Sequence, residues 1–341
     1  MEKVVNDLFT ENILHELAES FDVFSREFTL LGDAENYVYE VTKQASSFIL
    51  RVTHSSHRDE AQISDELSWV DFLQRNGVSA PEVFRSVNDQ FIEKVKAKDN
   101  STFYACLFEK VAGKRVNIGE EVHNDKLFYS WGQTIGKMHR LTKVFSEQVD
   151  LFNRPSWKEE DLFHLGKYQN HPKKEVIQQF DHLVNLLNHL PQKKENFGLI
   201  HSDLHLGNFH YDESEEKLHV FDFDDAVFHW FASDLAIPLY YSVWVLERGN
   251  IAVNLEEFAT RFLTHFLKGY ETENQLSKED YLAIPIFLKL RDYVLYGFFH
   301  KKLDIETITE TQKDLIASIE ERVINNRAIV TVNYQDILKS I

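Results

Sequence analysis

The spacing of apolar and polar residues changes character near Val111. Before it, short runs rich in β-branched and aromatic residues predict strands, and two stretches with apolar residues at helical spacing predict helices. The predicted strands are Ser25–Leu31, Tyr37–Thr42, Phe48–Thr53, Gln90–Val95 and Thr102–Val111. The predicted helices cover residues 4–20 and Arg58–Asn76, and Gly77 follows the second helix at a position that favours a left-handed cap.

After Val111 the apolar positions follow helical spacing. Asn124 can cap a long helix, and Gly132 and Gly136 lie one turn apart on it, which would allow close backbone approach. Further elements are predicted as helices over 157–189, 233–247, 254–272, 279–299 and 305–326, and as short strands over Asn208–Tyr211 and Lys217–Phe221.

Strands first and helices later predict an α+β fold rather than a doubly wound sheet. The chain has 341 residues, which is enough for about two domains. We place the boundary at the change of pattern. This gives an N-terminal domain of residues 1–111, which holds the sheet, and a mostly helical C-terminal domain of residues 112–341.

Composition and charge indicate which kinds of partner and which cellular compartment to expect. Lys and Arg number 37 against 55 Asp and Glu, a net charge of −18, which argues against nucleic acid as a partner. The single cysteine, Cys106, cannot form an intrachain disulfide and suits a reducing compartment. The N-terminus lacks the pattern of a signal peptide, and the longest apolar stretch, Leu235–Leu246, is too short to cross a bilayer. We therefore expect a cytoplasmic protein with no membrane partner.

The segment over residues 199–225 carries the candidate chemistry. It contains a His-x-Asp-x-x-x-x-Asn motif at 201–208, a short strand pair, and an Asp-Phe-Asp triplet at 222–224. An aspartate held in a rigid turn can accept a proton from a hydroxyl nucleophile. An asparagine and a second aspartate further on offer oxygen ligands to Mg²⁺, which takes its other ligands from phosphates and water. This division of labour is that of phosphoryl transfer, where positioning and charge neutralisation supply most of the catalysis.

The motif is similar to the protein-kinase pattern H-R-D-x-x-x-x-N followed by D-F-G, with Ser202 in place of Arg and Asp224 in place of Gly. In this form the sequence resembles the aminoglycoside phosphotransferase and choline kinase-like family, over roughly residues 25–300. The ending Asp-Phe-Asp-Asp-Ala at 222–226 looks closer to the homoserine kinase-like and stress-response kinase-like branches. The resemblance implies a protein-kinase-like fold with two lobes, an antiparallel sheet in the first and mostly helices in the second.

The same resemblance implies an ATP-dependent kinase that uses Mg²⁺ and phosphorylates a hydroxyl of a small molecule. The acceptor would be an amino alcohol, an amino acid such as homoserine, or an aminoglycoside. In the C-terminal domain the resemblance implies that Asp203 is the catalytic base. Asn208 and Asp222 would hold Mg²⁺, and Asp234 would brace the catalytic loop through backbone N–H groups.

In the N-terminal domain the resemblance implies a nucleotide site. Residues 30–36 would form the turn that covers the nucleotide. Arg51 takes the third-strand position that usually holds a lysine on the α/β-phosphates, with Glu66 as its expected partner and Glu60 as the rival. The carbonyl of Glu109 and the N–H of Val111 would meet the adenine edge.

Other interpretations stay open at this point. His201, His205 and His210 could suggest a zinc site, but they lack its usual tetrahedral spacing. An apolar strand ending in Asp222-x-Asp224 would also suit a haloacid dehalogenase-like phosphatase with Asp222 as the nucleophile. A non-catalytic nucleotide-binding scaffold is a further alternative. Acidic residues on the C-terminal helices would suit a cationic acceptor; they are Glu256, Glu257, Glu271, Glu273 and Asp280.

Overall fold

The computed structural model describes residues 2–24, 28–149, 153–168, 172–249, 251–303 and 307–341. The chain forms two units. The N-terminal unit comprises Met1–Ala112 and two later segments, Leu151–Arg154 and His219–Asp224. The C-terminal unit comprises Gly113–Asp150, Pro155–Leu218 and Asp225–Ile341.

The N-terminal unit is built on an antiparallel sheet of 6 strands in the order β1-β2-β3-β6-β4, with β5 also paired to β6. Its strands are β1 (Thr29–Gly32), β2 (Tyr37–Lys43), β3 (Ser46–His54), β4 (Val83–Phe84), β5 (Glu93–Lys96) and β6 (Thr102–Glu109). Its helices are α1 (Lys3–Leu8), α2 (Glu11–Glu19) and α3 (Glu60–Arg75).

The central strands of this sheet are buried on both faces. Successive side chains of a strand point to opposite faces, so β3 divides its residues between two apolar clusters. Leu50 and Val52 pack in the cluster that contains α2, whereas Ile49 packs in the cluster that contains α3. The same alternation places Arg51 on the α3 side of the sheet.

The C-terminal unit is mostly helical. Its helices are α4 (Asp125–Gln148), α5 (Lys174–His189), α6 (Phe231–Arg248), α7 (Leu255–Glu271), α8 (Lys278–Leu282), α9 (Ile284–Lys302), α10 (Glu310–Ile324) and α11 (Tyr334–Ile337). Short strands interrupt them: β7 (Phe197–Ile200), β8 (Phe209–Asp212), β9 (Lys217–Val220) and β10 (Val227–Trp230). β10 pairs with β7 and β8 with β9 in two small sheets.

Helices α4 and α7 cross at close range through glycines. The side chain of Asn124 accepts a hydrogen bond from the N–H of Leu127 and begins α4, as predicted. A Cβ on Gly132 would lie 1.8 Å from the carbonyl oxygen of Phe266, and one on Gly269 would lie 1.9 Å from that of Tyr129. Only glycine allows such an approach, which confirms the predicted role of Gly132.

Several predicted boundaries were wrong. The helix predicted over 4–20 is two helices, because the side chain of Thr10 accepts a hydrogen bond from the N–H of Ile13 and starts α2 there. Of the helix predicted over 157–189, the described residues form an α-helix only in α5, whereas residues 157–167 contain three short 3₁₀ helices and residues 169–171 lie outside the described residues. Of the predicted strand Ser25–Leu31, residues 25–27 lie outside the described residues, as do 305 and 306 of the predicted helix 305–326.

The order of strands before helices confirms the α+β fold class. Sequence patterns missed the short strands β4, β7 and β10 and the final helix α11. Over the part of the chain that the structure describes, no helix has both the length and the apolar character needed to cross a bilayer.

Candidate active site

The predicted catalytic loop, residues 201–208, lies between β7 and β8, and the first turn of α6 holds its backbone in place. One oxygen of Asp234 accepts a hydrogen bond from the N–H of His201 at 3.0 Å, and the other accepts from the N–H of Ser202 at 2.7 Å. Ser202 has a φ of 66°, a left-handed conformation that such tertiary contacts must impose. The predicted bracing role of Asp234 is therefore confirmed.

His139 of α4 extends this brace into the helical core. It is fully buried, with Nε2 3.2 Å from a carboxylate oxygen of Asp234 and Nδ1 2.9 Å from the hydroxyl of Tyr270. Burial lowers the pKa of His139, against the opposing effect of Asp234. Sequence analysis missed His139, because a histidine on a helix far along the chain gives no local signal.

The carboxylate of Asp203 is surrounded by donors. Arg291 Nη2 donates to Oδ1, and Asn208 Nδ2 donates to Oδ2 at 3.1 Å. His205 Nε2 lies 3.3 Å from Oδ2, while its Nδ1 accepts a hydrogen bond from the N–H of Gly207. Burial alone would raise the pKa of Asp203, but Arg291 and His205 outweigh burial and lower it to about 2. The group is therefore a carboxylate at neutral pH.

The side-chain amide of Asn208 is held in one orientation. Its nitrogen donates to the carbonyl oxygen of Asp203 at 2.9 Å as well as to the carboxylate. The amide oxygen is left without a hydrogen-bond partner among the described residues. A neutral oxygen fixed in this way fits a hard divalent cation, which is the role predicted for Asn208.

Arg291 is a second residue near this site that sequence analysis did not find. It lies on α9 with 14% of its side chain exposed. Its Nε and Nη2 donate to the hydroxyl of Tyr241 at 3.1 Å and 2.5 Å. Burial raises the pKa of Tyr241 to about 12, so the hydroxyl stays protonated. An arginine in the middle of the apolar helix 284–299 was the signal that could have pointed to it.

A pocket opens beside the catalytic loop within the C-terminal unit. Ser202 and Arg291 line it, together with the first turn of α6 and apolar side chains of α9. The remaining wall residues are Trp157, Glu160, Phe163, Val227, His229, Ser233, Ile237, Phe287, Leu290 and Val294. None of the acidic residues that the sequence suggested for a cationic acceptor lines this pocket. Glu273, for example, pairs with Arg140 at 2.8 Å.

In the N-terminal unit Arg51 and Glu66 form a buried, two-pronged ion pair. Nη1 and Nη2 of Arg51 donate to the two oxygens of Glu66 at 2.7 Å and 2.9 Å. The rival Glu60 instead binds Lys94 at the exposed end of α3, at 2.8 Å. Burial would lower the pKa of Arg51, but Glu66 raises it, so the charge is retained. The Nε atom of Arg51 is buried and has no hydrogen-bond partner among the described residues.

The Asp-Phe-Asp triplet belongs to the N-terminal unit. Asp222 is exposed and has a φ of 65°, in the left-handed region that aspartate tolerates better than most residues. Asp224 is buried, and His57 Nε2 lies 2.5 Å from its Oδ2. Burial would raise the pKa of Asp224, but His57 and Arg58 lower it well below its usual range. The convergence of Asp222 with Asn208 stays a prediction.

The predicted adenine contacts lie where the sheet ends. Glu109 is the last residue of β6, and its N–H donates to the carbonyl of Glu82 at 2.9 Å. Val111 follows outside regular secondary structure. Gly113, with a φ of 89°, begins the C-terminal unit, and a Cβ there would lie 3.1 Å from backbone atoms of Tyr211. The roles of Glu109 and Val111 stay predictions.

The histidines of the catalytic loop have other partners than a metal. His205 contacts Asp203, and the backbone N–H of Asp203 lies 3.4 Å from Nδ1 of His201. Within the described ranges, no group of three or more His, Cys, Asp or Glu side chains is arranged to hold a metal ion.

A family model and a known protein each match most of this chain. The model of the phosphotransferase enzyme family matches residues 28–276. Amicoumacin kinase of Bacillus subtilis (strain 168) is 36% identical over 326 residues, which cover 95% of this chain and 95% of that protein.

Solved structures show the same likeness. The structure of amicoumacin kinase hAmiN in complex with AMP-PNP, Ca²⁺ and Ami has a TM-score of 0.90 and 32% identity, covering 99% of this chain and 100% of that one. A microcompartment-associated aminopropanol kinase has a TM-score of 0.71 and 22% identity, covering 92% and 95%, and so shows the fold alone. The predicted protein-kinase-like fold is confirmed, as is the predicted resemblance to phosphotransferases. The homoserine kinase-like or stress-response kinase-like branch stays a prediction.

Proposed function

Because this chain belongs to the phosphotransferase enzyme family, we propose that it transfers the terminal phosphoryl group of Mg²⁺-bound ATP to a hydroxyl of amicoumacin. The chain is an ATP-dependent phosphotransferase that acts on an alcohol group of a small molecule and uses a divalent metal. The single observation that carries the finer proposal is the carboxylate of Asp203. Side chains of the catalytic loop and of α9 hold it next to a pocket that can take an acceptor.

Asp203 acts as the base of this reaction. The hydroxyl oxygen of the acceptor attacks the terminal phosphorus, its proton passes to the carboxylate of Asp203, and ADP leaves with the bridging oxygen. Asn208 and Arg291 fix the carboxylate plane from two sides, so the accepting oxygen is in place before the acceptor arrives. Pre-orientation of this kind is the main contribution that a kinase makes, since the phosphoryl group itself needs little covalent help.

Several residues would hold the nucleotide and its metal. The amide oxygen of Asn208 and the carboxylate of Asp222 are suitable ligands for Mg²⁺, which neutralises charge on the phosphates when it is bound. Arg51 would face the α- and β-phosphates while Glu66 keeps its guanidinium in one plane, and its unpaired Nε supports a contact with a ligand oxygen. Glu109 and Val111 would contact adenine through their backbone.

The family match argues against the other interpretations of the triplet. A haloacid dehalogenase-like phosphatase would use Asp222 as a nucleophile and would leave Asp203 and Asn208 without a role. A non-catalytic scaffold would have no use for a base held by several donors. The match over residues 28–276 includes all three side chains and describes a phosphotransferase.

The test is ADP release by the purified protein with Mg²⁺-ATP and a panel of acceptors. The panel contains amicoumacin, homoserine, 3-aminopropan-1-ol, ethanolamine, choline and spectinomycin, and mass spectrometry checks each product for one added phosphate. We expect amicoumacin to give the highest kcat/KM. ADP release no higher than in acceptor-free controls for every compound would overturn the proposal. Phosphate release that requires Asp222 but not Asp203 would support the phosphatase instead.

A further inference from the structure

The wall of the pocket beside Asp203 contains polar groups that the protein itself does not satisfy. Polar groups that line a pocket and have no partner in the protein can form hydrogen bonds with a ligand. In this pocket they belong to His229 and Ser233, which are buried, and to Ser202 and Arg291, which are half-buried; all four lie within the C-terminal unit. The chemistry of these groups therefore indicates which kind of molecule binds in the pocket.

His229 lines the pocket and carries one neutral N–H. It is 5% exposed, and its Nδ1 accepts a hydrogen bond from the N–H of Trp230 at 2.9 Å. An imidazole nitrogen that accepts a hydrogen bond carries no proton, so the proton of the neutral ring lies on Nε2. Burial lowers the pKa of His229 to about 3, against the effect of Asp234, and the ring is neutral at physiological pH. Nε2 has no hydrogen-bond partner among the described residues.

Arg291 offers a second set of donors. Its Nε and Nη2 are used by Tyr241 and Asp203. Its Nη1 has no hydrogen-bond partner within the described ranges, although the residue lines the pocket. An arginine N–H can donate a hydrogen bond but cannot accept one. The two N–H groups of Arg291 Nη1 therefore require acceptor atoms from outside the protein.

The remaining residues of the pocket wall are mostly apolar or carry a hydrogen-bond donor. Ser233 is 7% exposed, lies in the uncapped first turn of α6, and its hydroxyl has no hydrogen-bond partner among the described residues. Side chains such as Trp157, Phe163 and Phe287 make up the apolar part. The only carboxylate among the residues that line the described pocket is Glu160, and one of its oxygens already accepts from the N–H of Leu162.

We infer that this pocket binds the phosphate acceptor through a carbonyl or carboxylate oxygen, which receives hydrogen bonds from His229 Nε2 and Arg291 Nη1. The inference rests on the proposed function, since it concerns the acceptor of the same reaction. It names the acceptor class as a hydroxy compound with an amide, ester or carboxyl group near the hydroxyl. A polyamine without such an oxygen would leave the donors of the wall unpaired, which costs binding.

The test compares acceptors that differ only in this oxygen. L-Homoserine and its amide carry the carbonyl, and 3-aminopropan-1-ol is the same skeleton without it; amicoumacin serves as the acceptor of the proposed function. We expect the wild type to favour the two carbonyl compounds over 3-aminopropan-1-ol by about tenfold or more in kcat/KM. A preference for homoserine over its amide would identify a carboxylate, and equal values would identify a neutral carbonyl.

Variants of His229 test the donor itself. His229→Asn removes the group at the Nε2 position, whereas His229→Gln places an amide N–H close to it, and His182→Asn on the exposed face of α5 is the matched control. We expect His229→Asn to raise KM for the carbonyl acceptor that the wild type uses best by about tenfold. Its kcat should change less than twofold, and KM for the carbonyl-free aminopropanol should not move. His229→Gln should recover most of the loss, and thermal melting of each variant shows that it is folded.

The outcomes separate two failures. If the wild type releases ADP with no compound, amicoumacin included, the proposed function fails and the acceptor subsite fails with it. If it turns over carbonyl and carbonyl-free acceptors equally well, or if His229→Asn and His229→Gln behave alike, the kinase activity stands and the carbonyl subsite is overturned.

Discussion

At Asp203, the residue that we propose as the base, the protein keeps the carboxylate ionised and thereby makes it a weak base. Burial alone would raise the pKa of this carboxylate, but Arg291 and His205 lower it to about 2, and Asn208 donates a hydrogen bond to it. By Brønsted behaviour, such a weak base gains little from proton affinity in the transition state. The residue must therefore contribute through position, by holding one oxygen where the hydroxyl proton departs. Arg291 contacts Asp203 and also lines the pocket that we propose for the acceptor, so in this proposal it would link acceptor binding to the orientation of the carboxylate.

Replacement of Asp203 by asparagine tests this role at the scale of a residue. Asp203→Asn keeps the shape of the side chain but offers no carboxylate to the hydroxyl, and we expect kcat to fall by about 10²- to 10⁴-fold. The Kd of Mg²⁺-ATP should change little, because the group acts mainly in the transition state. Steady-state ADP release and calorimetric titration of the nucleotide measure the two quantities. Asp181→Asn, on an exposed part of α5, is the control. Turnover near that of the wild type would show that the base is another residue.

At the scale of elements, the ion pair of Arg51 and Glu66 joins β3 to α3. Both side chains are buried, and loss of one partner leaves the other charge unpaired, which costs about 3–5 kcal/mol. We expect Glu66→Gln to lower the free energy of unfolding by about 3 kcal/mol and to raise KM for ATP. Glu60→Gln, which breaks the exposed pair with Lys94 on the same helix, should do much less. Urea denaturation and ATP kinetics of the two variants measure these effects. Equal effects of the two substitutions would show that the buried pair has no special role.

The crossing of α4 and α7 gives a second prediction at this scale. Alanine in a helix is ordinarily better than glycine by about 1 kcal/mol. At Gly132 the added Cβ would overlap the carbonyl oxygen of Phe266, so the helices must move apart. We expect Gly132→Ala to destabilise the protein by about 3 kcal/mol, whereas Gly166→Ala, with nothing within 4 Å of its Cβ, should be neutral. Thermal melting distinguishes the two, and a stable Gly132→Ala protein would mean that this crossing is looser than described.

Most elements could be predicted because their apolar periodicity is local. The helices α3, α4 and α7 and the strands β2, β3 and β6 are all of this kind. The boundary between α1 and α2 could not, because a single threonine cap overrides a continuous apolar pattern. β7 and β10 are four residues each, and their register depends on each other across many intervening residues.

The residues of the candidate site could also be predicted only where they belong to a local pattern. Asp203, Asn208 and Asp234 lie in one stretch of sequence, whose motif made them visible. Arg291 contacts Asp203 from a helix far after the loop, and His139 contacts Asp234 from a helix far before it, and neither belongs to the motif. The prediction of Glu66 rather than Glu60 as the partner of Arg51 is confirmed, and the register of α3 against β3 explains why Glu66 is the one that reaches it.

At the scale of the whole molecule, buried neutral histidines make stability depend on pH. The pKa of His229 is about 3 in the folded protein, far below the ordinary value near 6.5, and that of His139 is also lowered. Below pH 6.5 the unfolded chain therefore binds protons that the folded chain does not, and stability is lost as pH falls from 6.5 towards 3. His229 alone should contribute about 2 kcal/mol of loss between pH 7 and pH 5.

This dependence is measured by urea denaturation at pH 7 and at pH 5. We expect His229→Gln to lose about 2 kcal/mol less than the wild type over that interval, because glutamine does not titrate. The control variant His182→Gln, at an exposed position, should show the same pH dependence of stability as the wild type. If His229→Gln shows the same pH dependence as the wild type, the buried ring is not the group that resists protonation.

Binding of Mg²⁺-ATP should stabilise the whole folded molecule, and we predict that the side chains of Asp222 and Asn208 hold the metal. A ligand at 100 times its Kd stabilises the folded state by about 2.7 kcal/mol, so Mg²⁺-ATP should raise the melting temperature of the wild type. Asp222→Asn removes the charge while it keeps a residue that tolerates the left-handed backbone, and Asn208→Leu removes the amide oxygen. We expect each variant to lose most of the Mg²⁺-ATP shift, and chelation by EDTA to abolish the shift in the wild type. Asp181→Asn should keep it. A full shift in either variant would show that its side chain does not hold the metal, and a shift unaffected by EDTA would show that the nucleotide binds without one.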